Sequence, residues 1–366
     1  MNWYQVKTIE AIDSPALIIY KDRAQQNIRL LMQMKDVEHL RPHVKTNKIA
    51  EVCKQMLDAD ITKFKCATIA EAEMLGSIKA PDVLLAYQPT TTKAMRLLQL
   101  VQQYPATHFS CLIDDAINAE AISATFSGSN SVIDVYIDLN IGQNRTGIKP
   151  VNALDLFNEC ENFRGINVIG LHAYDGHIRD TEVNERKQKT DAAFNAVIQL
   201  AEKIESSSGK KMKIVAGGSP TFPVHAQRSD VQCSPGTFVF WDHGYKTQFP
   251  DESFEYAALV ITRVISIVDE HTICVDLGHK SVAAENVLEK RVYFLNAENA
   301  QPLGQSEEHL VLKIDDASVY KIGDVLYGVP YHICPTVALY ERAVVVENNK
   351  VVDEWRVIAR DRKITV

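Results

Sequence analysis

Leu40-Arg41-Pro42-His43-Val44-Lys45-Thr46-Asn47-Lys48 places a lysine directly after a short candidate strand. We predict Leu40–Val44 as the first strand of an eightfold β/α repeat. All βα loops of such a barrel meet at one mouth, so Lys45 would point into it. A lysine can form a Schiff base where desolvation or cationic neighbours favour its neutral amine. A solvated lysine in a basic loop is the alternative.

Short apolar runs alternate with helix-like segments from about residue 16 to residue 240. Continuous apolar runs are typical of parallel strands buried on both faces. We therefore predict an α/β fold with a (β/α)8 TIM-type barrel over residues 16–249. The alternative is a doubly wound sheet, although no Gly-x-Gly-x-x-Gly follows an early strand, which disfavours a dinucleotide site. The predicted strands are Leu40–Val44, Phe64–Ala67, Val83–Ala86, His108–Ile113, Val132–Leu139, Val168–Ala173, Lys213–Ala216 and Thr237–Phe240, with Ala16–Tyr20 as an extra strand ahead of the barrel.

The pattern changes after about residue 250, where short segments rich in Val, Ile, Tyr and Thr are separated by turns. Such segments predict an antiparallel β-domain, which we assign to residues 250–366 together with 1–15. Its predicted strands are Glu255–Ile267, His271–Asp276, Arg291–Leu295, His309–Ile314, Asp324–Val329 and Thr336–Val346.

Composition excludes several classes of partner. The chain has 366 residues, a net charge of −8 and no basic run, which argues against nucleic acid or an anionic membrane. The first ten residues lack the basic start and apolar run of a signal peptide. No apolar stretch approaches the roughly 20 residues of a membrane span. The seven scattered cysteines are typical of reduced thiols, and we expect a cytoplasmic protein.

A resemblance to a known family follows from the motif Arg41–Lys48. It resembles the cofactor-lysine motif of the family containing D-threonine aldolases and D-serine dehydratases. These are pyridoxal phosphate enzymes of the alanine-racemase-like fold (fold type III), and the resemblance covers nearly the whole chain. The other matching motifs are Asp138–Gly147, Gly170–His177, Gly217–Thr221, Asp276–Lys280, Ser306–His309 and the pair His332 and Cys334.

The resemblance implies a cofactor cradle at the ends of the barrel strands. Bare glycine amides and a hydroxyl after the seventh strand suit a phosphate. An arginine after the fifth strand would face the phenolic oxygen or ring of the cofactor, and a tyrosine after the sixth would hold the ring flat. The implied cofactor-binding residues are Lys45, which is also the catalytic residue, and Arg145, Tyr174, Gly217, Gly218, Ser219, Thr221, Gly236 and Thr237.

His332 and Cys334 form a candidate metal pair. In an extended segment residues i and i+2 point to the same side, so both side chains would reach one ion. Imidazole and thiolate together favour Zn²⁺. The resemblance implies Zn²⁺ or another divalent metal such as Mn²⁺, because the dehydratase side of the family has this pair. We expect Glu308 or His309 to orient a ligand.

The expected function is that of a lyase acting on a small D-3-hydroxy amino acid, most like a D-serine dehydratase. The alternatives are a D-threonine aldolase, an amino-acid racemase with Tyr331 or Tyr245 as second base, and a cofactor-binding protein without activity. Cys334 favours the dehydratase, since the aldolases carry Asp there. Asn47 departs from the family, where His is common. The resemblance also implies a homodimer.

Overall fold

The computed structural model describes residues 1–366, which divide into two compact units. The barrel unit comprises Leu31–Lys45, Val52–Gly236 and Asp361–Val366. The sheet unit comprises Met1–Leu30, Thr46–Glu51 and Thr237–Arg360. The chain therefore passes between the units several times. None of its helices is both long and apolar enough to cross a membrane.

Seven parallel strands form the sheet of the barrel unit, and they are hydrogen-bonded in chain order. The segment around Leu40–Val44 joins the two edges of this sheet through isolated parallel bridges, Leu40 to Cys233 and His43 to Lys65. The predicted eightfold parallel arrangement is thereby confirmed. The strands are β2 (Lys63–Cys66), β3 (Asp82–Leu85), β4 (His108–Ile113), β5 (Ile133–Leu139), β6 (Ile166–Ala173), β7 (Lys213–Ala216) and β8 (Val231–Cys233).

Helices follow most of these strands, as a β/α repeat requires. The helices of the whole chain are α1 (Lys21–Met34), α2 (Ala50–Leu57), α3 (Ile69–Ser77), α4 (Thr91–Gln103), α5 (Ala116–Ser127), α6 (Pro150–Cys160), α7 (Val183–Ser208), α8 (Phe222–His225), α9 (His243–Gln248) and α10 (Ile333–Val337). Side chains at the helix starts fix several of them: Thr68 accepts from the Glu71 amide before α3, and Asp115 accepts from the Asn118 amide before α5.

The prediction of Thr237–Phe240 as the eighth strand is wrong. Thr237–Val239 forms a 3-10 helix, and the eighth strand is Val231–Cys233. The apolar residues of Thr237–Phe240 led to the wrong assignment. The true strand has only three residues, one of which is the polar Gln232. A strand this short and interrupted carries no clear periodicity, although it pairs in register with β7.

The sheet unit contains nine strands. Seven run in the order β12-β13-β10-β9-β1-β15-β16, while β14 pairs with β9 and β11. They are β1 (Ala16–Tyr20), β9 (Ala258–Asp269), β10 (Thr272–Val275), β11 (Val292–Phe294), β12 (Gln301–Gln305), β13 (Leu310–Lys313), β14 (Val325–Pro330), β15 (Arg342–Glu347) and β16 (Lys350–Arg356). Apolar residues of β9, β10, β13 and β14 pack together as its core.

The predicted antiparallel domain needs three corrections of detail. Ala16–Tyr20 lies in this sheet between β9 and β15 rather than ahead of the barrel strands, and its pairing with β15 is parallel. The predicted strand Thr336–Val346 is partly wrong, since Ile333–Val337 is helical and β15 begins at Arg342. The prediction also missed β12 and β16. In β16 all five residues before Trp355 are exposed, so an apolar pattern is absent.

Arg41 ties the closing segment to three neighbouring elements at the N-terminal end of the barrel. Its fully buried guanidinium forms two hydrogen bonds to the Asp82 carboxylate, at 2.7 and 2.9 Å. It also donates to the side chain of Gln232 and to the carbonyl of Phe64. Although burial opposes it, hydrogen bonds from His108 and Arg41 hold the pKa of Asp82 well below its usual range.

Replacing Arg41 with methionine should lower the free energy of unfolding by about 3 kcal/mol, because three acceptors lose their buried donor. Urea unfolding measures the change. Lys63→Met is the control, since the Lys63 ammonium is bonded to the Glu38 carbonyl at an exposed position. A loss no larger than that of the control would show that Arg41 does not hold the barrel closed.

Candidate active site

The ring of Tyr174 is surrounded by three cations in the barrel unit. The Lys45 Nζ lies 5.9 Å from the ring centroid, and the Arg145 guanidinium carbon lies 5.0 Å from it. The third cation, Lys65 Nζ, lies 5.8 Å away. Cations at this range are attracted by the ring quadrupole. The structure thus brings together the predicted residues Lys45, Arg145 and Tyr174.

Two glycines leave the space that the Tyr174 ring occupies. A Cβ on Gly176 would lie 2.2 Å from the Tyr174 hydroxyl, and one on Gly218 would lie 3.0 Å from the ring carbon Cε2. Tyr174 directly follows β6, so its backbone is fixed by the parallel sheet. The result is an aromatic platform set at the carboxyl end of the barrel strands, where barrel enzymes carry their chemistry.

The loop after β5 positions Arg145 through its own polar contacts. The Asn140 side chain accepts hydrogen bonds from the amides of Gly142 and Asn144, both at 3.1 Å. Thr146 donates to the Asp138 carboxylate at 2.9 Å. Gly147 has a φ of +96°, and a Cβ there would lie 2.6 Å from the backbone nitrogen of Asn140, so the turn requires glycine.

Lys65 was not among the predicted site residues. Its Nζ lies 3.4 Å from the Nε2 of His172, whose Nδ1 lies 2.7 Å from the Asp138 carboxylate. Burial, and after it the positive charge of Lys45, lowers the pKa of Lys65 to about 7. Burial also lowers the pKa of His172, so its imidazole is neutral. The alternation in Lys63-Phe64-Lys65 is typical of a half-exposed strand, so the pattern offers no reason to predict Lys65 as a site residue.

The loop after β7 presents the expected phosphate-binding residues unequally. The Gly217 amide already donates to the Ala173 carbonyl at 3.1 Å. The amides of Gly218 and Gly236 make long bonds to hydroxyls, at 3.4 Å to Thr221 and 3.3 Å to Ser219. Such long contacts are readily replaced by a phosphate oxygen. Gly218 and Gly236 therefore fit a phosphate better than Gly217 does.

Asp175 holds this loop in place through hydrogen bonds to its side chains. Its buried carboxylate accepts from the Thr221 hydroxyl at 2.7 Å and lies 2.7 Å from the Nε2 of His225. The other ring nitrogen of His225 lies 2.9 Å from the Arg228 guanidinium. The Thr221 hydroxyl is thus committed to Asp175 as a donor. A ligand can use it only as an acceptor.

The two side chains of the candidate metal pair contact each other in the sheet unit. His332 is the N-cap residue of α10 and Cys334 lies inside that helix, so the expectation of an extended segment is wrong. Burial lowers the pKa of His332, but hydrogen bonds with Cys334 and Glu285 outweigh it and raise the pKa to about 9. The hydroxyl of Thr46 lies 3.2 Å from the Cys334 sulfur, and that of Thr237 lies 3.7 Å from it.

Glu285 supplies the carboxylate that supports His332, with its Oε1 2.5 Å from the histidine Nδ1. A carboxylate on Nδ1 leaves Nε2 for a metal and fixes the ring orientation. The residues expected in this role lie elsewhere: His309 is exposed, and Glu308 pairs with Lys280 at 3.0 Å. Glu285 belongs to none of the sequence motifs, so only the fold reveals it.

The donor set for a metal is small. No group of three or more His, Cys, Asp or Glu side chains is arranged to hold an ion. His332 and Cys334 would thus be two protein ligands, with water and substrate completing the usual four positions of zinc. Their nitrogen and sulfur donors, in mutual contact and backed by Glu285, are of the kinds that zinc prefers.

Asn47 has a structural role. Its side-chain oxygen accepts from the Ile49 amide at 3.0 Å, just before α2 begins at Ala50. An amide in this turn cannot accept a proton as a histidine would. Any base for a bound substrate must therefore be another residue.

Comparison with known proteins agrees with the resemblance. Residues 19–243 match the family model described as alanine racemase, N-terminal domain, and residues 257–346 match the putative serine dehydratase domain. The chain is 24% identical to a D-threonine aldolase from Arthrobacter sp, over 95% of this chain and 93% of that protein. It is 23% identical to a D-threo-3-hydroxyaspartate dehydratase from Delftia sp. (strain HT23), over 91% and 94%.

Solved structures agree in fold. The crystal structure of a D-threonine aldolase from Filomicrobium marinum superposes with a TM-score of 0.88 at 25% identity, covering 95% of both chains. The predicted family, a D-threonine aldolase and D-serine dehydratase group with an alanine-racemase-like fold, is therefore confirmed.

Gly176→Ala should displace the Tyr174 ring and lower the free energy of unfolding by about 1–3 kcal/mol, as expected for overpacking. Urea unfolding measures the loss, and a crystal structure of the variant locates the ring. Gly304→Ala is the matched control, because nothing lies within 4 Å of a Cβ at that position. An unmoved ring together with a loss equal to that of the control would contradict the assigned packing.

Proposed function

This chain belongs to the family of the alanine racemase N-terminal domain, and from that premise we propose that it is a pyridoxal-phosphate-dependent lyase acting on D-3-hydroxy amino acids. The relatives named above are aldolases and dehydratases, both of which are lyases. The observation that carries the proposal is the set of Lys45, Arg145 and Tyr174 at the carboxyl ends of the barrel strands.

The residues present fit the cofactor. Lys45 offers an amine for covalent attachment near the flat ring of Tyr174. Arg145 lies near the same ring and offers a positive charge to an oxyanion of the cofactor. The amides of Gly218 and Gly236 and the Ser219 hydroxyl offer donors to a phosphate. Bound pyridoxal phosphate supplies an electron sink for the bond broken at the substrate Cα.

The protein itself would orient the substrate and move protons. We assign the transfer of the α-proton to the Nζ of Lys45, because Asn47 cannot accept one. Tyr174 would keep the reacting groups in one plane, held by the two glycines that pack against it.

We propose that His332 and Cys334 hold a divalent metal, Zn²⁺ in the first instance, with Glu285 orienting the imidazole. A bound divalent ion supplies Lewis-acid assistance at the β-hydroxyl of the substrate. Thr46 and Thr237 would fix the Cys334 sulfur by the contacts already described. One solved structure similar to this chain is that of a D-threo-3-hydroxyaspartate dehydratase with a cysteine-to-alanine substitution in the metal-free form, which agrees with a cysteine at the proposed metal site.

Deamination is the reaction we favour. Cys334, where the aldolases carry Asp, supports a dehydratase, as does the match of residues 257–346 to the serine dehydratase domain. The aldolase is the second candidate, because relatives named D-threonine aldolase and 3-hydroxy-D-aspartate aldolase also span nearly the whole chain. By the same resemblance we infer a homodimer, and from the seven scattered cysteines we infer a cytoplasmic location.

Product analysis decides between these reactions. The protein, loaded with pyridoxal phosphate and Zn²⁺, is incubated with D-threonine and with 3-hydroxy-D-aspartate. We expect ammonia and a 2-oxo acid, 2-oxobutyrate or oxaloacetate, and we expect both products to be lost on addition of a chelator. Glycine together with acetaldehyde or glyoxylate would establish the aldolase instead. Inverted substrate without cleavage would establish a racemase.

Two variants connect the products to the named residues. Cys334→Ala should keep the absorbance of the bound cofactor and lose about 10²-fold or more of the activity, since a metal ligand is removed. Lys45→Ala should lose the covalently bound cofactor. A fully active Cys334→Ala protein would contradict the assignment of the metal.

A further inference from the structure

Lys65 occupies a place in the barrel that a lysine rarely occupies. It lies on β2 with 2% of its surface exposed and points into a region that barrels normally fill with apolar side chains. Its backbone also closes the barrel, because its amide donates to the Pro42 carbonyl and its carbonyl accepts from the Val44 amide, at 2.9 and 2.8 Å. The side chain has no part in the function proposed above.

The hydrogen-bond partner of the Lys65 ammonium is uncharged. His172 donates from Nδ1 to the Asp138 carboxylate, so its Nε2 carries a lone pair, and this nitrogen accepts from Lys65. Lys65, His172 and Asp138 thus form a chain of two successive hydrogen bonds. The imidazole of His172 separates the Asp138 carboxylate from the Lys65 ammonium. The carboxylate also accepts a hydrogen bond from the Thr146 hydroxyl.

The charged and titratable groups that face Lys65 come from four parts of the barrel, and most of them have closer partners. The closing segment contributes two positive charges, and β5 contributes one negative charge. The neutral imidazole lies on β6, and the loop after β6 contributes a second negative charge. These groups are Arg41, Lys45, Asp138, His172 and Asp175. Arg41 is bonded to Asp82, and Asp175 to Thr221 and His225. The ammonium of Lys65 is therefore poorly compensated, in agreement with its pKa of about 7.

We propose that Lys65 is a positioning residue whose Nζ takes up a proton when an anionic ligand binds at the Tyr174 ring. This rests on the proposed function, because pyridoxal phosphate is the anion concerned. The ligand brings the negative charge that the barrel lacks at this point, and the ammonium then supports His172 and the ligand together. Both lysines lie near the Tyr174 ring, with the Lys65 and Lys45 nitrogens 5.8 and 5.9 Å from its centroid.

The sign of the pH dependence follows from the burial of Lys65, which lowers its pKa to about 7 in the free protein. Below pH 7 the free protein already carries the ammonium, so the anion binds without proton uptake. Above pH 7 the amine is neutral in the free protein, and each binding event must draw a proton from solution. The affinity should therefore fall as pH rises, by up to about tenfold per pH unit for one linked proton.

The test is a calorimetric titration of the cofactor-free full-length protein with pyridoxine 5′-phosphate between pH 7 and pH 9. This probe has an alcohol in place of the aldehyde, so it cannot react with Lys45. The natural protein should lose at least tenfold in affinity across the range, relative to the variants, and take up a proton. Lys65→Arg should bind the probe tightly, and its affinity should change little with pH, because its guanidinium stays charged. Lys65→Met should bind weakly at every pH, also with little dependence.

Lys63→Met, the same substitution two residues earlier on β2, should behave as the natural protein. Titration of the probe's own groups is common to all four proteins and cancels in the comparison. Equal pH dependence in the natural protein and Lys65→Met would overturn the role of Lys65 while leaving the cofactor site intact. Failure of the natural protein to bind the probe at any pH would overturn both this role and the proposed cofactor site.

Discussion

The segment Leu40–Lys45 closes the barrel and thereby fixes the residues at both of its ends. The seven strands from β2 to β8 form a parallel sheet with two open edges, and this short segment bonds to both of them. The Arg41 amide donates to the Cys233 carbonyl on one side, and the Val44 amide donates to the Lys65 carbonyl on the other. Because the segment runs in the strand direction, Arg41 comes at the N-terminal end of the barrel and Lys45 at its mouth.

The two ends of the barrel use charge in opposite ways. At the N-terminal end the Arg41 guanidinium is satisfied by Asp82, Gln232 and Phe64, which favours stability. At the mouth Lys45, Lys65 and Arg145 surround one tyrosine ring with fewer counter-charges. An excess of positive charge in a desolvated place costs stability and favours the binding of an anion. This difference distinguishes the part of the barrel that maintains the fold from the part that we assign to chemistry.

The sequence predicted those features that are recorded in local patterns. Continuous apolar runs gave the parallel strands, and the motifs around Lys45, Arg145 and Tyr174 gave three residues that the structure brings together. Thr237 shows the limit of such patterns: its apolar neighbours predicted a strand, yet it lies in a 3-10 helix beside Cys334. Glu285 and Lys65 owe their positions to contacts with residues 47 and 107 positions away, which no periodicity records. The helical Cys334 likewise reflects the cap at His332 rather than the spacing of the pair.

Covalent trapping identifies the lysine that holds the cofactor. The protein is incubated with pyridoxal phosphate, reduced with borohydride and digested, and the modified peptide is sequenced by mass spectrometry. We expect one stoichiometric phosphopyridoxyl adduct on Lys45, with Lys48 and Lys65 unmodified. A protein that takes up no cofactor, or that carries the adduct on another lysine, would contradict the assignment of the barrel mouth as the active site.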